Sequence, residues 1–387
     1  MDDAGASYRR LLSARADGGP FEAAGGGNGD LPDTDVAVAS LIDGVRYLEE
    51  RLGKYAEPEV LAELVGGAEH GLRVISGKDD GAFDRHDLAG LEAVVHSDGT
   101  RPVFFVEDDF IDVLNPAAAT HAAALSRVSA AVRAACSAVG RVVDPSSALG
   151  FRGTAWAIGD GIVATNFHVL KAIAVGAARP DGRFVGELKP DVAVDFGGEV
   201  GGSGPDGRRF PVHRVLGVGS EGAPERASTT LEDVNFDGLD LAILELEPVD
   251  GQDFPAPVAV ARGDDPATHG ALASKGRSVY VVGFPGNPKS TTADVFGRLF
   301  AGVAGVKRLA PGTLAAGRGD VPGDDRRWVI AHDASTLGGS SGSPVIDLET
   351  DGRAVLGAHF AGAPDRTNWA HSLEGASDEL AEIVPGW

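Results

Sequence analysis

Residues 153–170 read GTAWAIGDGIVATNFHVL. Two short apolar runs flank Asp160-Gly161, a dipeptide suited to the tight turn of a β-hairpin. The stretch therefore predicts two antiparallel strands, then a polar Thr165-Asn166 pair and His168 at the strand end. The texture persists downstream in RFPVHRVLGVG (209–219), LDLAILELEP (239–248), SVYVVGFPG (278–286), RWVIAHD (327–333), GSPVIDL (342–348) and AVLGAHFAG (354–362). Gly, Pro and Asp punctuate these runs and no long helical pattern interrupts them, so residues 146–387 read as an all-β sandwich or barrel domain. The glycine-rich DFGGEVGGSGPDGRR (195–209) is an excursion between strands. It lacks the Lys-Ser/Thr ending of a phosphate-binding loop, and no helical pattern follows it.

Upstream the pattern changes. Residues 1–33 end in GGGNGDLPD and read as a flexible lead. DTDVAVASLIDGVRYLEERLG (33–53) carries apolar residues at helical spacing, with Asp33 or Thr34 as N-cap. PEVLAELVGGAEHGLRVI (58–75) reads as a second helix weakened by internal glycines. LEAVVHSD (91–98) and RPVFFVEDD (101–109) straddle an Asp-Gly turn signal and read as a strand pair, and the alanine-rich 116–140 as helical. Residues 34–145 thus form an α-rich N-terminal region without a chemical motif.

The 387 residues carry 57 acidic and 34 basic side chains, a formal charge of −23. That balance argues against nucleic acid or an anionic membrane as partner, since both require a basic face. A hydrophobic fraction of 43% is ordinary for a globular core. The single cysteine, Cys136, permits no intramolecular disulfide, and nothing demands an oxidising compartment. The first residues show no apolar secretory core and no run reaches membrane-spanning length, so the expected location is cytoplasmic. No His-Glu-x-x-His, cysteine pair or close histidine cluster is present, so neither a metal nor an organic cofactor is expected.

Three features carry chemistry. DASTLGGSSGSPVID (333–347) surrounds serines with glycines, as a sharp turn with convergent backbone N–H groups requires. Only Ser341 has a glycine after it and another two residues before it, and nucleophilic attack on an acyl carbon needs such an exposed hydroxyl. His168, at a strand end, is the candidate base; His70, His86, His96 and His121 lie in the helical front without matching context. Asp240 enters the apolar run 241–244, where an unpaired carboxylate would be costly, whereas Asp233 and Asp237 sit in a more polar approach. Each feature alone has a plainer reading: a flexible turn, a surface histidine, a turn-capping Asp. Together they occur in the order His, Asp, Ser on an all-β background, the order of the chymotrypsin-type triad and not of subtilisin or α/β-hydrolases.

GTAWAI…IVATNFHVL, LDLAILELE, VYVVGFPG, DASTLGGSSGSPVID and VLGAHFAG together make residues 150–387 resemble a bacterial trypsin-like serine peptidase, closest in pattern to the V8-like glutamyl endopeptidases. The resemblance implies a mainly-β double β-barrel behind the smaller α-rich region, with the active site in the cleft between barrels. It implies Ser341 as nucleophile, His168 as base then acid, Asp240 as orienter, and the Gly339 and Ser341 N–H groups as oxyanion hole. Thr336 and His359 occupy the places that hold an acidic P1 side chain in V8-like enzymes. One departure is Ser340: trypsin-type zymogens place there an Asp that receives a new N-terminus, so activation by that insertion is not expected. The expected activity is intracellular serine endopeptidase action on a protein or peptide substrate, with a regulatory protein partner recruited through the N-terminal region. The rival is a catalytically silent protein-binding scaffold on the same fold.

Overall fold

A computed structural model describes residues 8–9, 12–13, 31–53, 55, 57–81, 83–97, 101–179, 181–200, 208–219, 234, 236–261, 272–286, 305–336, 339–363 and 367–383. The chain divides into two compact units: the first contains residues 1–104 and 112–127, the second residues 105–111, 128–286 and 305–387.

The first unit is built on α1 (Thr34–Leu52), α2 (Pro58–Ile75) and α3 (Arg85–Ser97). The Asp33 side chain caps α1 by accepting the N–H groups of Asp35 and Val36, and Gly53 at φ 60° ends it. The glycines that weaken α2 in isolation are what let it meet α3 backbone to backbone. A Cβ on Gly67 would lie 2.1 Å from the His86 carbonyl oxygen, and one on Gly90 2.0 Å from the Ala68 nitrogen. Leu41, Leu64, Ala68, Leu72, Leu91 and Val94 form the buried core.

Two expectations for this region are corrected. Residues 91–97 are helix and not strand, because Asp84 and Asp87 form a capping box. Asp84 accepts the Asp87 N–H at 3.0 Å and Asp87 accepts the Asp84 N–H at 2.9 Å. That start signal outweighs the β-branched Val94-Val95. Nor is the lead free throughout: Tyr8 and Leu12 are buried in the helical core, while residues 14–30 lie outside the described residues.

Beginning at the boundary residue Phe104, a short hairpin, β1 (Phe104–Glu107) and β2 (Phe110–Ile111), turns on Asp108 and Asp109, both at positive φ. Two left-handed residues match the twist of a hairpin, and Asp tolerates that conformation better than most. The partner of FFVE is therefore the run just after it and not LEAVV. Downstream of α4 (Ala122–Arg127) in the first unit, α5 (Ser129–Ala138) leads directly into β3 (Val139–Val143). The first barrel strand thus begins ahead of the boundary expected at residue 146, where a run of valines overtakes the alanine pattern.

The hairpin expected at 153–170 forms as β4 (Phe151–Gly159) and β5 (Ile162–Thr165), with Gly161 at φ 67°. The short helix α6 (Phe167–Ile173) follows, so His168 sits in a first helical turn and not at a bare strand end. A small two-stranded sheet, β6 (Ala174–Ala178) with β7 (Phe184–Leu188), comes next. Then β8 (Ala193–Asp195), β9 (Arg209–Val218) and β10 (Ala242–Leu246) complete a closed barrel of order β10-β5-β4-β3-β8-β9. Residues 201–207 of the glycine-rich excursion lie outside the described residues. Val142, Val163, Val194, Phe196, Phe210 and Leu244 fill the interior.

A second ring takes β11 (Ser278–Gly283), β12 (Arg308–Ala316), β13 (Val329–His332), β14 (Pro344–Asp347), β15 (Val355–Ala363) and β16 (Thr367–Ser372). Its order is β11-β14-β15-β16-β13-β12, closed by β11 pairing with β12, and the β1–β2 hairpin extends the sheet beyond β12. A final helix, α7 (Ser377–Ile383), follows. The protein is mainly β, two six-stranded barrels preceded in sequence by a helical region. No helix among the described residues is long and apolar enough to cross a membrane.

Candidate active site

The first barrel supplies His168 and Asp240. Asn166 ends β5's extended path, the chain turns into α6, and the second helical residue is His168, whose side chain is 26% exposed. Asp240 lies two residues before β10 and is 1% exposed. Its Oδ2 stands 2.6 Å from His168 Nδ1, and its Oδ1 accepts the His168 main-chain N–H at 2.9 Å. Burial pushes the Asp240 carboxyl up, but the facing His168 outweighs that and holds it below the ordinary carboxylate value. A carboxylate only accepts, so Nδ1 carries the ring proton and Nε2 keeps its lone pair outward.

The second barrel supplies the loop before β14. Gly339 at φ 101° and Gly342 at φ 89° occupy backbone conformations that disfavour any side chain. Space is equally restrictive: a Cβ on Gly339 would sit 2.6 Å from the Phe284 carbonyl oxygen, and one on Gly342 2.2 Å from that of Thr154. Burial separates the three serines that follow Gly339, because Ser340 and Ser343 are 4% and 0% exposed while Ser341 is partly open. Three successive loop carbonyls are held: Thr154 Oγ1 donates to Gly339 O at 3.0 Å, the Ser343 N–H to Ser340 O at 2.9 Å, and the Thr154 N–H to Ser341 O at 2.8 Å. The Gly339 and Ser341 N–H groups have no acceptor among the described residues.

Thr154 links the two halves. Its hydroxyl also accepts the Phe284 N–H at 3.1 Å, and its carbonyl accepts Thr165 Oγ1 at 2.7 Å. Gly342 packs so closely on Thr165 and the Asn166 nitrogen that the loop bearing Ser341 lies against the start of the His168 helix. Ser341 Oγ makes no hydrogen bond among the described residues; such contacts are often loose before substrate binds.

Thr336 and His359 lie further along the second barrel. Thr336 Oγ1 donates to Asn368 Oδ1 at 2.7 Å, and Asn368 Nδ2 donates to Ala334 O at 2.8 Å. His359 is 4% exposed, and its Nδ1 stands 3.3 Å from His332 Nε2. Burial pushes His359 down to about 3, so the ring is neutral at physiological pH.

Four residues here escape local sequence reasoning. Asn166 Nδ2 donates to the Asp240 carbonyl at 2.8 Å, and His371 Nε2 accepts the Asp240 N–H at 3.0 Å. Thr154 and Thr165 form the frame just described. Asn166 lies two residues from His168, so its place beside the histidine was the available signal. His371 is 131 residues from its partner, and only the barrel closure joins them. Among the described residues, no group of three His, Cys, Asp or Glu side chains is placed to hold a metal ion.

Residues 153–357 match a family model described as "Trypsin-like peptidase domain". A protein of Lysobacter enzymogenes named "Probable serine protease" is 30% identical over 334 residues, spanning 83% of this chain and 82% of its own. Crystal structures of the Rv3671c protease of M. tuberculosis align at 21% identity in an inactive form and 22% in the active form. Each covers 67% of this chain, and the alignments take in 95% and 86% of those chains at TM-scores of 0.38 and 0.37. The family model covers over half of the sequence and the Lysobacter relative most of it, and on those two matches this chain belongs to the trypsin-like serine peptidases.

Proposed function

We propose that the protein is a serine endopeptidase working through Ser341, His168 and Asp240. The observation that carries this reading is the pairing of an Asp-oriented histidine with a loop in which the partly open Ser341 follows Gly339 and both of their N–H groups are unengaged among the described residues. Ser341 Oγ attacks the scissile carbonyl carbon while His168 Nε2 takes its proton, and Asp240 steadies the imidazolium. The Gly339 and Ser341 N–H groups receive the oxyanion. Collapse breaks the C–N bond as His168 returns the proton to the leaving amine. Water then attacks the acyl-enzyme by the same route and frees Ser341. Labelling of the full chain by a fluorophosphonate, abolished in Ser341→Ala, is the expected result. A well-folded wild type that never labels would favour the silent scaffold.

The proposal extends to specificity and setting. A P1 carboxylate is the fitting occupant beside Thr336 and His359, since a neutral imidazole offers an N–H and gains a proton as an anion approaches. Peptide-library cleavage after Asp or Glu is expected; cuts mainly after Arg or Lys would overturn it. The lone buried Cys136 and the −23 charge suit a cytoplasmic enzyme acting on a protein or peptide substrate. The helical unit is proposed to recruit a regulatory protein, and removal of residues 1–97 without change in rate or substrate range would count against that role.

A further inference from the structure

The segment that delivers Asp240 is tied to the second barrel at two points. Trp328 Nε1 donates to the Phe236 carbonyl at 2.6 Å, and four residues later the Asp240 N–H meets His371 Nε2 at 3.0 Å. His371 is fully buried on β16, in register between Val329 of β13 and Ala358 of β15. Its ring stacks on Phe360 at 4.1 Å with planes 15° apart, and Trp328 meets it edge-on at 6.2 Å. An N–H can be accepted only by an unprotonated nitrogen, which puts the single ring proton of His371 on Nδ1. That Nδ1 is buried and has no partner among the described residues. A buried donor without an acceptor is costly, and an apolar residue would fill the same space without that cost. What the imidazole supplies that an apolar side chain cannot is an acceptor for the Asp240 backbone.

We propose that His371 is a positioning residue of the peptidase reaction: as the Nδ1–H tautomer it anchors the Asp240 N–H and so holds the Asp240 carboxylate in register with His168. Four polar groups of Asp240 are then fixed from three sides, by His168 on the carboxylate, Asn166 on the carbonyl and His371 on the nitrogen. His371 touches no reacting atom, and its effect runs through Asp240 alone.

The inference rests on the peptidase reading, and the test keeps the two apart. In the full chain, His371→Leu removes the acceptor, whereas His371→Gln can restore one through Oε1. A displaced orienting carboxylate lowers kcat by about 10- to 100-fold at unchanged KM. It also weakens the low-field proton resonance of the His168 Nδ1–H bonded to Asp240, and His371→Gln recovers most of both. A His371→Leu enzyme within twofold of wild-type kcat, or a Gln variant no better than Leu, would overturn the proposal. Nitrogen NMR of the wild-type ring, assigned by its loss in His371→Gln, decides independently of whether the Leu variant folds. An unprotonated Nε2 is expected, and a proton on Nε2 overturns the inference. A wild type inert to fluorophosphonate would instead fail the peptidase reading and leave the tautomer result standing.

Discussion

The two halves of the candidate site satisfy their polar groups in opposite ways. Around Asp240 the N–H, the C=O and both carboxylate oxygens are engaged. In the serine loop the carbonyls of Gly339, Ser340 and Ser341 are held, while the N–H groups of Gly339 and Ser341 and the Ser341 hydroxyl are left without partners among the described residues. A buried ion gains from full engagement, since any unmet group would add to its desolvation cost. A loop that receives a transient oxyanion needs its donors fixed in direction but unspent, and anchoring the carbonyls achieves that. In the proposed mechanism the acid–base half is therefore finished before substrate arrives, and the nucleophile half is finished by it.

Breaking the finished half has the largest expected effect. Asp240→Asn keeps the shape but lets the amide donate to His168 Nδ1, which moves the ring proton to Nε2 and removes the base. A loss of about 10⁴ in kcat, near 5.5 kcal/mol of transition-state stabilisation, is expected with the fold intact. Stopped-time hydrolysis beside a thermal melt checks this. A loss under tenfold would mean the histidine is oriented by its helix alone. On the unfinished half, Gly339→Ala forces a side chain into φ 101° and onto the Phe284 carbonyl. Turning that N–H away costs about 10²- to 10³-fold in kcat. Fluorophosphonate labelling of the variant should slow in parallel, and unchanged labelling would remove Gly339 from the oxyanion hole.

The same contrast explains what the sequence made legible. His168, Asp240 and Ser341 stand out because each departs from its neighbourhood: an imidazole after an apolar strand, a carboxylate entering one, a hydroxyl among glycines. The barrels are legible because apolar runs of strand length alternate with Asp, Gly and Pro. Asn166, Thr154 and His371 look ordinary, since a threonine in GTAW or a histidine in WAHS satisfies strand patterning without further meaning. Their work depends on partners 74, 185 and 131 residues away. The strand expected at residues 91–97 fails for a related reason: its Val-Val pair is local, whereas the Asp84–Asp87 capping box and the Gly67–Gly90 approach are set by how the helices end and meet.

Acid offers a milder probe of the finished half. Burial pushes His371 down to about 4 and His359 to about 3. Unfolded, each takes a proton near 6.5; folded, each refuses it until those lower values. Between about pH 6.5 and 4 the unfolded chain binds more protons, so stability falls as pH falls, by up to about 1.4 kcal/mol per pH unit for each ring. Asp240 adds to the same trend only below its ordinary 3.8, because its folded value is depressed. Denaturant melts at successive pH should show the slope, and His371→Gln should remove about half of it. A flat profile from pH 6.5 to 4 would mean that both rings escape burial in solution.

The smallest expected effect tests the join between the halves. Thr154→Val preserves shape but deletes the donor to Gly339 O and the acceptor for the Phe284 N–H. The Thr154 main-chain N–H still holds Ser341 O, so the nucleophile keeps its place and only the Gly339 peptide gains freedom. Two buried groups lose partners, which costs about 1–3 kcal/mol in stability. The rate should fall by about tenfold, less than for Gly339→Ala, because the N–H retains access to its working direction for part of the time. Melting temperature and kcat together decide: a stability loss at full rate would mean the loop glycines alone aim the oxyanion donors, and Thr154 serves only to fasten the second barrel's loop to the first barrel's strand.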